Sequence, residues 1–246
     1  MSRPVYDTIG RGYAAERRTD PRIAAPIHAA LGDACRVVNI GAGTGSYEPS
    51  DRFVAAVEPS PEMIRQRRDD AAPTVRAVAE ALPFVDSSFD AAMAILTIHH
   101  WTDWRAGIAE LRRVAERVVV FTADIEVFPH TWLMTDYFPE IVDLDRGRFS
   151  SVEELVIELG GGTIERILIP HDCVDGFTGA YWSRPEAYLS ADVRRGMSGF
   201  AALSPDVVAA GIDRLATDLA SGAWDDRYGA LRSESEYDIG YRLVVA

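Results

Sequence analysis

Through its first half the chain alternates short apolar runs with longer stretches of mixed polarity. The runs at 36–40, 53–58, 75–78, 89–96 and 118–123 are four to eight residues long and rich in Val, Ile, Phe and Ala. They read as strands buried on both faces, as in a parallel sheet. Between the last two, residues 104–114 repeat apolar positions at helical spacing, with Ile108, Leu111 and Val114 on one side and Arg112 and Arg113 on the solvated side. Asp103 stands where an N-cap acceptor belongs. Strands alternating with helices predict an α/β fold with helices on both faces of the sheet.

Beyond Asp124 the pattern changes. Ser151 and Glu154 form a capping-box pair that opens a helix over 151–159, and Gly160, Gly161 and Gly162 end it. Residues 163–169 read as a sixth strand closed by Pro170. Residues 236–245 read as a seventh, with Ile239, Tyr241, Leu243 and Val245 on one face. The long stretch 171–236 between them holds helical candidates at 184–197 and 205–221. A loop of that length inside a compact domain is seldom structureless, so a helical cap is expected there.

The first two strands flank the run Gly41-Ala42-Gly43-Thr44-Gly45, and the second ends in Glu58. Glycines let a backbone approach a ligand and adopt positive φ. A strand-end acid can accept hydrogen bonds from a ribose diol. Together they predict a pocket for an adenosine-containing cofactor; a tight turn and a surface acid would look the same in isolation. Against the dinucleotide fingerprint the third glycine comes one residue early. Only residues 46–52, with Pro49 among them, separate the loop from the next strand. So short a connection offers little of the helix N-terminus that a pyrophosphate prefers. A cofactor without phosphates demands less of it.

Further segments follow in order: Glu58-Pro59-Ser60-Pro61-Glu62-Met63, Ala79-Glu80-Ala81-Leu82-Pro83-Phe84, Phe89-Asp90 before the fourth strand, and Thr97-Ile98-His99-His100-Trp101 after it. As a set, over roughly residues 6–125, they resemble the class I S-adenosylmethionine-dependent methyltransferases, of the small-molecule type 11 related to ubiquinone and menaquinone biosynthesis. The resemblance implies a Rossmann-like, doubly wound, seven-stranded, mainly parallel sheet. The last two strands usually form a hairpin in that family, so the stretch between them here implies an inserted α-helical cap. The implied layout is one domain: an N-terminal helical lid (1–30), a cofactor core (31–125), helices and the sixth strand (126–170), the cap (171–235) and the final strand (236–246).

The resemblance also distributes roles. Gly41, Ala42, Gly43 and Gly45 would face the methionine part of S-adenosylmethionine, Glu58 and Pro59 the ribose, and Met63 the adenine. Ala79 and Glu80 would form the adenine turn, where Val78 replaces the family's short acidic side chain, and Thr97 would close the pocket. In the N-terminal stretch, Tyr13 would cover the methionine end and Arg17 would grip its carboxylate with two parallel hydrogen bonds. An ordinary surface helix is the alternative reading of that stretch. His99 and His100 are the catalytic candidates: the imidazole titrates near neutrality, and they follow the fourth strand at the sheet edge where open α/β folds bind ligands. They would also serve simply to shape the pocket. Trp101, Tyr137 and Trp182 are candidates for an aromatic acceptor wall, or else core anchors.

Charge and cysteine content narrow the partners. The net charge of -13, with a pI near 4.8, disfavours a phosphate backbone as substrate. The Asn/Asp-Pro-Pro-Tyr motif of enzymes that methylate amino groups of nucleic acids is absent too. The cations are 25 arginines and no lysine, which removes Schiff-base chemistry. Cys35 and Cys173 have no metal spacing, and no metal is expected. No apolar run reaches membrane-spanning length and no signal pattern opens the chain, so a cytoplasmic protein without membrane contact is expected. The expected function is methyl transfer from S-adenosylmethionine to a small molecule, aromatic or otherwise apolar or a secondary metabolite, by a monomer or homodimer. The rivals are a cofactor-binding protein that transfers no methyl group and a nicotinamide-dependent oxidoreductase.

Overall fold

The computed structural model describes residues 17–145 and 151–246. Asp20 opens helix α1 (Pro21–Ala30): its carboxylate accepts from the Arg22 amide, and Pro21 takes the first turn, where no amide donor is needed. Strand β1 (Arg36–Ile40) and β2 (Phe53–Val57) follow, then a one-turn helix α2 (Pro61–Arg65), a two-residue β3 (Thr74–Val75) and β4 (Phe89–Ile95). Helix α3 (Trp104–Val114) is capped by Asp103, as expected, and runs directly into β5 (Ala115–Ala123). Beyond it lie α4 (Pro139–Asp145), α5 (Val152–Glu158) and β6 (Thr163–Arg166).

Next come β7 (Ile169–Pro170), short helices α6 (Ala191–Arg195) and α7 (Ser198–Ala202), the long α8 (Pro205–Ser221) and α9 (Ala223–Tyr228). Strands β8 (Glu236–Tyr237) and β9 (Tyr241–Val245) close the described chain. The seven-stranded sheet has the order β3-β2-β1-β4-β5-β9-β6. Neighbours from β3 to β5 run parallel, and β9 is antiparallel to both β5 and β6. This is the Rossmann-like, doubly wound α/β fold expected, with the helical cap inserted between the last two sheet strands. The strand order reverses between β1 and β4, where such sheets leave a crevice at the strands' carboxyl ends.

Alternation within the strands divides the core. Val38, Ile40, Ala92 and Ala94 face one side with α3 and α5; Val37, Ala91, Met93 and Phe121 face the other with α1. Ile239, Tyr241 and Leu243 lie on this second side, with Val245 packed against it, as their spacing predicts. A third cluster is the cap's own core, in which Tyr188, Met197, Phe200, Leu215 and Trp224 meet Trp132, Leu133, Tyr137, Phe138 and Ile141. The cap core therefore draws on residues from both sides of β6.

Several boundaries differ from expectation. β3 stops at Val75, and further on the chain turns where the Ala81 amide bonds back to the Val78 carbonyl. The expected helix over 184–197 breaks at Ser190, whose extended backbone separates a 3-10 turn (Pro185–Leu189) from α6. The last strand is interrupted at Gly240, with φ 96°, where a Cβ would lie 2.7 Å from the Phe128 amide. That close approach seats the turn after β5 against the final strand. No helix among the described residues is long and apolar enough to cross a membrane.

Candidate functional site

Two adjoining cavities open at the carboxyl edge of the sheet. The first, of about 260 Å3, lies at the strand-order reversal and is lined by the glycine loop, Glu58, Pro59, Met63, Ala79, Glu80, Thr97, His100 and Trp101. Gly41 and Gly43 sit at φ 66° and 52°, a region costly for side chains. A Cβ on Gly41 would lie 2.0 Å from the Thr97 hydroxyl oxygen, so loop and β4 turn meet only through glycine. Ala42 donates its amide to the Val57 carbonyl at 3.0 Å, tying the loop to β2.

Glu58 is 4% exposed. Its two oxygens accept from the Gly43 and Ser60 amides, each at 2.8 Å, which fixes the carboxylate at the cavity wall. Ser60 caps α2 through the Met63 amide, and that turn buries Met63 beside Gly43. Glu80 accepts from the Thr102 and Asp103 amides at 2.7 and 3.1 Å, so its carboxylate braces the loop before α3. The buried Asn39 side chain gives its amide to Glu48 at 3.1 Å and leaves its own oxygen without a partner at the cavity wall. Open glycine backbone, a fixed carboxylate and an orphaned acceptor suit a nucleoside bearing an amino-acid tail.

Some expected cofactor residues do other work. Gly45 is absent from the cavity wall; at φ 94° its missing Cβ makes room for Glu48 and Arg67 behind the loop. Arg67 pairs with Glu48 at 2.8 Å and donates to the Gly43 carbonyl at 3.1 Å, supporting the loop from beneath. Arg17 lines both cavities, yet the carboxylate it grips is that of Asp175, through bonds of 2.5 and 3.2 Å. Tyr47 donates its hydroxyl to the same carboxylate at 2.8 Å, and burial followed by the Asp175 charge pushes its pKa well up. Tyr13 lies outside the described residues.

The second cavity, of about 430 Å3, lies between β5, the turn after it and the cap. Leu96, Phe128, Ile141, Phe177, Met197 and Tyr241 supply its apolar wall, and His99 reaches it from the β4 side. Leu96 and Arg17 belong to both cavities. Leu96 sits at φ 52°, an uncommon conformation for a bulky residue, and it turns the chain between the two chambers. The following residues, Ile98–His100, form a 3-10 turn. At three residues per turn, consecutive side chains point about 120° apart. His99 accordingly lines the second cavity and His100 the first, with ring centroids 3.8 Å apart.

The expected aromatic wall is corrected. Trp101 lines the first cavity, and Tyr137 and Trp182 line neither. Tyr137 is buried in the cap with its hydroxyl on Asp218 at 2.7 Å, and burial, then Asp218, pushes its pKa up. The Trp182 indole donates to the Ile169 carbonyl at 3.0 Å. Both are held by packing and a satisfied polar tip. Asn39 offered a readable signal, a polar residue inside an apolar run. Asp175 offered none, since it meets Arg17 only through the tertiary fold.

The type 11 Methyltransferase domain family matches residues 38–121. A protein assigned as a methyltransferase from an antibiotic biosynthesis pathway of Anabaena variabilis is 35% identical, with a TM-score of 0.87 over 94% of this chain and 98% of that one. The chain belongs to the class I S-adenosylmethionine-dependent methyltransferases. This methyltransferase is also 34% identical over 95 residues to the malonyl-[acyl-carrier protein] O-methyltransferase of Erwinia pyrifoliae. That match spans 36% of each chain, about a third of the curated relative's length. A methyltransferase from Thermotoga maritima, 24% identical, shares the fold with a TM-score of 0.53 over 66% of this chain and 84% of its own. S-adenosylmethionine is the family's cofactor, and the first cavity fits it.

Proposed function

We propose that this chain methylates a small molecule held in the second cavity, using S-adenosylmethionine held in the first. The observation that carries this reading is the junction between the two chambers, where adjacent histidines and the shared Leu96 and Arg17 bring the two sites together. When bound, the cofactor supplies an activated methyl group and leaves as S-adenosylhomocysteine. In this reading Glu58 accepts hydrogen bonds from the ribose hydroxyls, while Met63 and Ala79 border the adenine. The unpartnered Asn39 oxygen accepts from a donor on the amino-acid tail. His99, on the acceptor side, takes the proton that an O–H acceptor must lose. His100 shapes the cofactor side. Aligning acceptor and methyl group while excluding water supplies about 7–11 kcal/mol of the barrier reduction.

The antibiotic-pathway relative supports a secondary-metabolite acceptor, and the O-methyltransferase relative supports oxygen as the methylated atom. A net charge of -13 argues against nucleic acid. We place the protein in the cytoplasm, as a monomer or homodimer. The test is a mass-spectrometric assay of S-adenosylhomocysteine release from S-adenosylmethionine with matched sets of phenols, carboxylic acids and amines. Acceptor-dependent release abolished by altering the junction supports the reading. Cofactor binding without release for any of them favours the non-methylating alternative.

A further inference from the structure

Charge pairing within the second cavity narrows its ligand. Among the described residues lining it, Arg17 and Asp124 are the formally charged ones. Each already faces an opposite charge. Arg17 binds Asp175 at two points, with side-chain exposures of 9% and 0%. Asp124 meets Arg242 at 3.2 Å and accepts from the Glu126 amide at 2.9 Å, and Arg242 also holds Asp238. Among the described residues, an anionic or cationic ligand would therefore find no free counter-charge, and burying an unpaired charge is costly. The remaining polar lining is uncharged or a histidine: Thr122, Thr178 and Ser198, with His99 on the junction side and the exposed His130 elsewhere on the wall. The rest is aliphatic, aromatic or glycine.

We infer that this cavity is the acceptor site and that it takes an uncharged, largely apolar hydroxyl compound, a phenol or enol, whose O–H is directed at His99. The inference deepens the methyl-transfer reading and rests on it. A neutral hydroxyl brings no charge to be compensated on entry. It meets in His99 a group able to accept its hydrogen bond, and its apolar body contacts Phe128, Met197 and Tyr241. A carboxylate of the same shape meets the same wall but loses its hydration without gaining a cation.

The test uses the full chain saturated with S-adenosylhomocysteine and two probes of matched shape, 2-naphthol and 2-naphthoate, titrated calorimetrically near neutral pH. The phenol is then neutral and the carboxylate ionised. The expected result is one naphthol per chain, bound about tenfold or more tightly than naphthoate, a difference of about 1.4 kcal/mol. Val142→Arg, which adds an uncompensated cation to the wall, should reverse that preference. Naphthoate binding as well as naphthol, binding of neither probe, or a naphthol-over-naphthoate preference left unchanged by Val142→Arg would each overturn the inference while leaving the cofactor reading in place. Failure of the initial S-adenosylhomocysteine titration would instead remove the methyl-transfer reading beneath it.

Discussion

Arg17 and Asp175, 158 residues apart in sequence, form a two-point ion pair through which Arg17, on the wall of both cavities, is held. Tyr47 adds a hydrogen bond from the segment after the glycine loop, so three distant parts of the chain share one buried carboxylate. Nearby, Asp20 accepts from the Val174 amide, and Arg22 reaches Asp172. The entry to α1 is thus fastened to the 172–175 segment at three points. Removing one partner of a buried pair leaves the other uncompensated and costs about 3–5 kcal/mol. Asp175→Ala is expected to lose stability on that scale in a denaturant titration, with Asp175→Asn falling between it and the native chain.

The divided histidine pair predicts divided phenotypes. His99→Gln should lower kcat by about two to four orders of magnitude, the usual contribution of a general base. Its affinity for S-adenosylhomocysteine should stay close to native. His100→Gln should show the reverse balance, with weaker cofactor binding and a smaller effect on kcat. Steady-state kinetics on a verified acceptor, combined with calorimetry, read both. Equal loss from both variants in both measurements would mean the turn acts only as a structural unit.

Asp20 sets an acid limit. Burial alone would raise its pKa, but the Arg22 side chain and the Val174 and Arg22 amides outweigh burial and bring it from 3.8 to about 2. A carboxyl depressed in the folded state stabilises above its unfolded pKa, and the contribution fades as pH falls from about 4 towards 2. Allowing for solvent screening of the half-exposed Arg22, this is worth about 1–2 kcal/mol. Asp20→Asn, which keeps a capping oxygen, should be less stable than the native chain at pH 7. Urea midpoints should show the gap narrowing between pH 4 and pH 2.

The two thiols should separate by reactivity. Cys35 is exposed, whereas burial pushes the Cys173 thiol up to about 12. Thiolate is the reactive form, so a native titration with a disulfide reagent at pH 8 should count one thiol, and a denatured titration two. Two fast thiols in the native protein would contradict the packing of the 172–175 segment.

The sheet was legible because parallel strands buried on both faces leave continuous apolar runs, and β1, β2, β4 and the α3 cap fell at or near the positions read from sequence. β3 was harder: as a short edge strand it pairs with β2 over two residues only and ends before its apolar residues stop. The wall of the first cavity was readable through Gly41, Gly43 and Glu58, whose chemistry is local. The wall of the second cavity was not. Phe128, Met197 and Tyr241 look like ordinary core residues until the cap is folded, while Tyr137 and Trp182 looked equally suitable and turned out to be packed elsewhere. Aromatic content alone does not tell a cavity wall from a core.

The most direct test of the account is a calorimetric titration of S-adenosylhomocysteine into the native chain and Glu58→Ala. Glu58 would be the anchor for the ribose, and it also fixes Gly43 and Ser60. One site per native chain is expected, with a loss of about 1–3 kcal/mol in the variant, the scale of a hydrogen bond to a charged group. Native-like affinity in a folded Glu58→Ala variant, or no binding to the native chain, would contradict it.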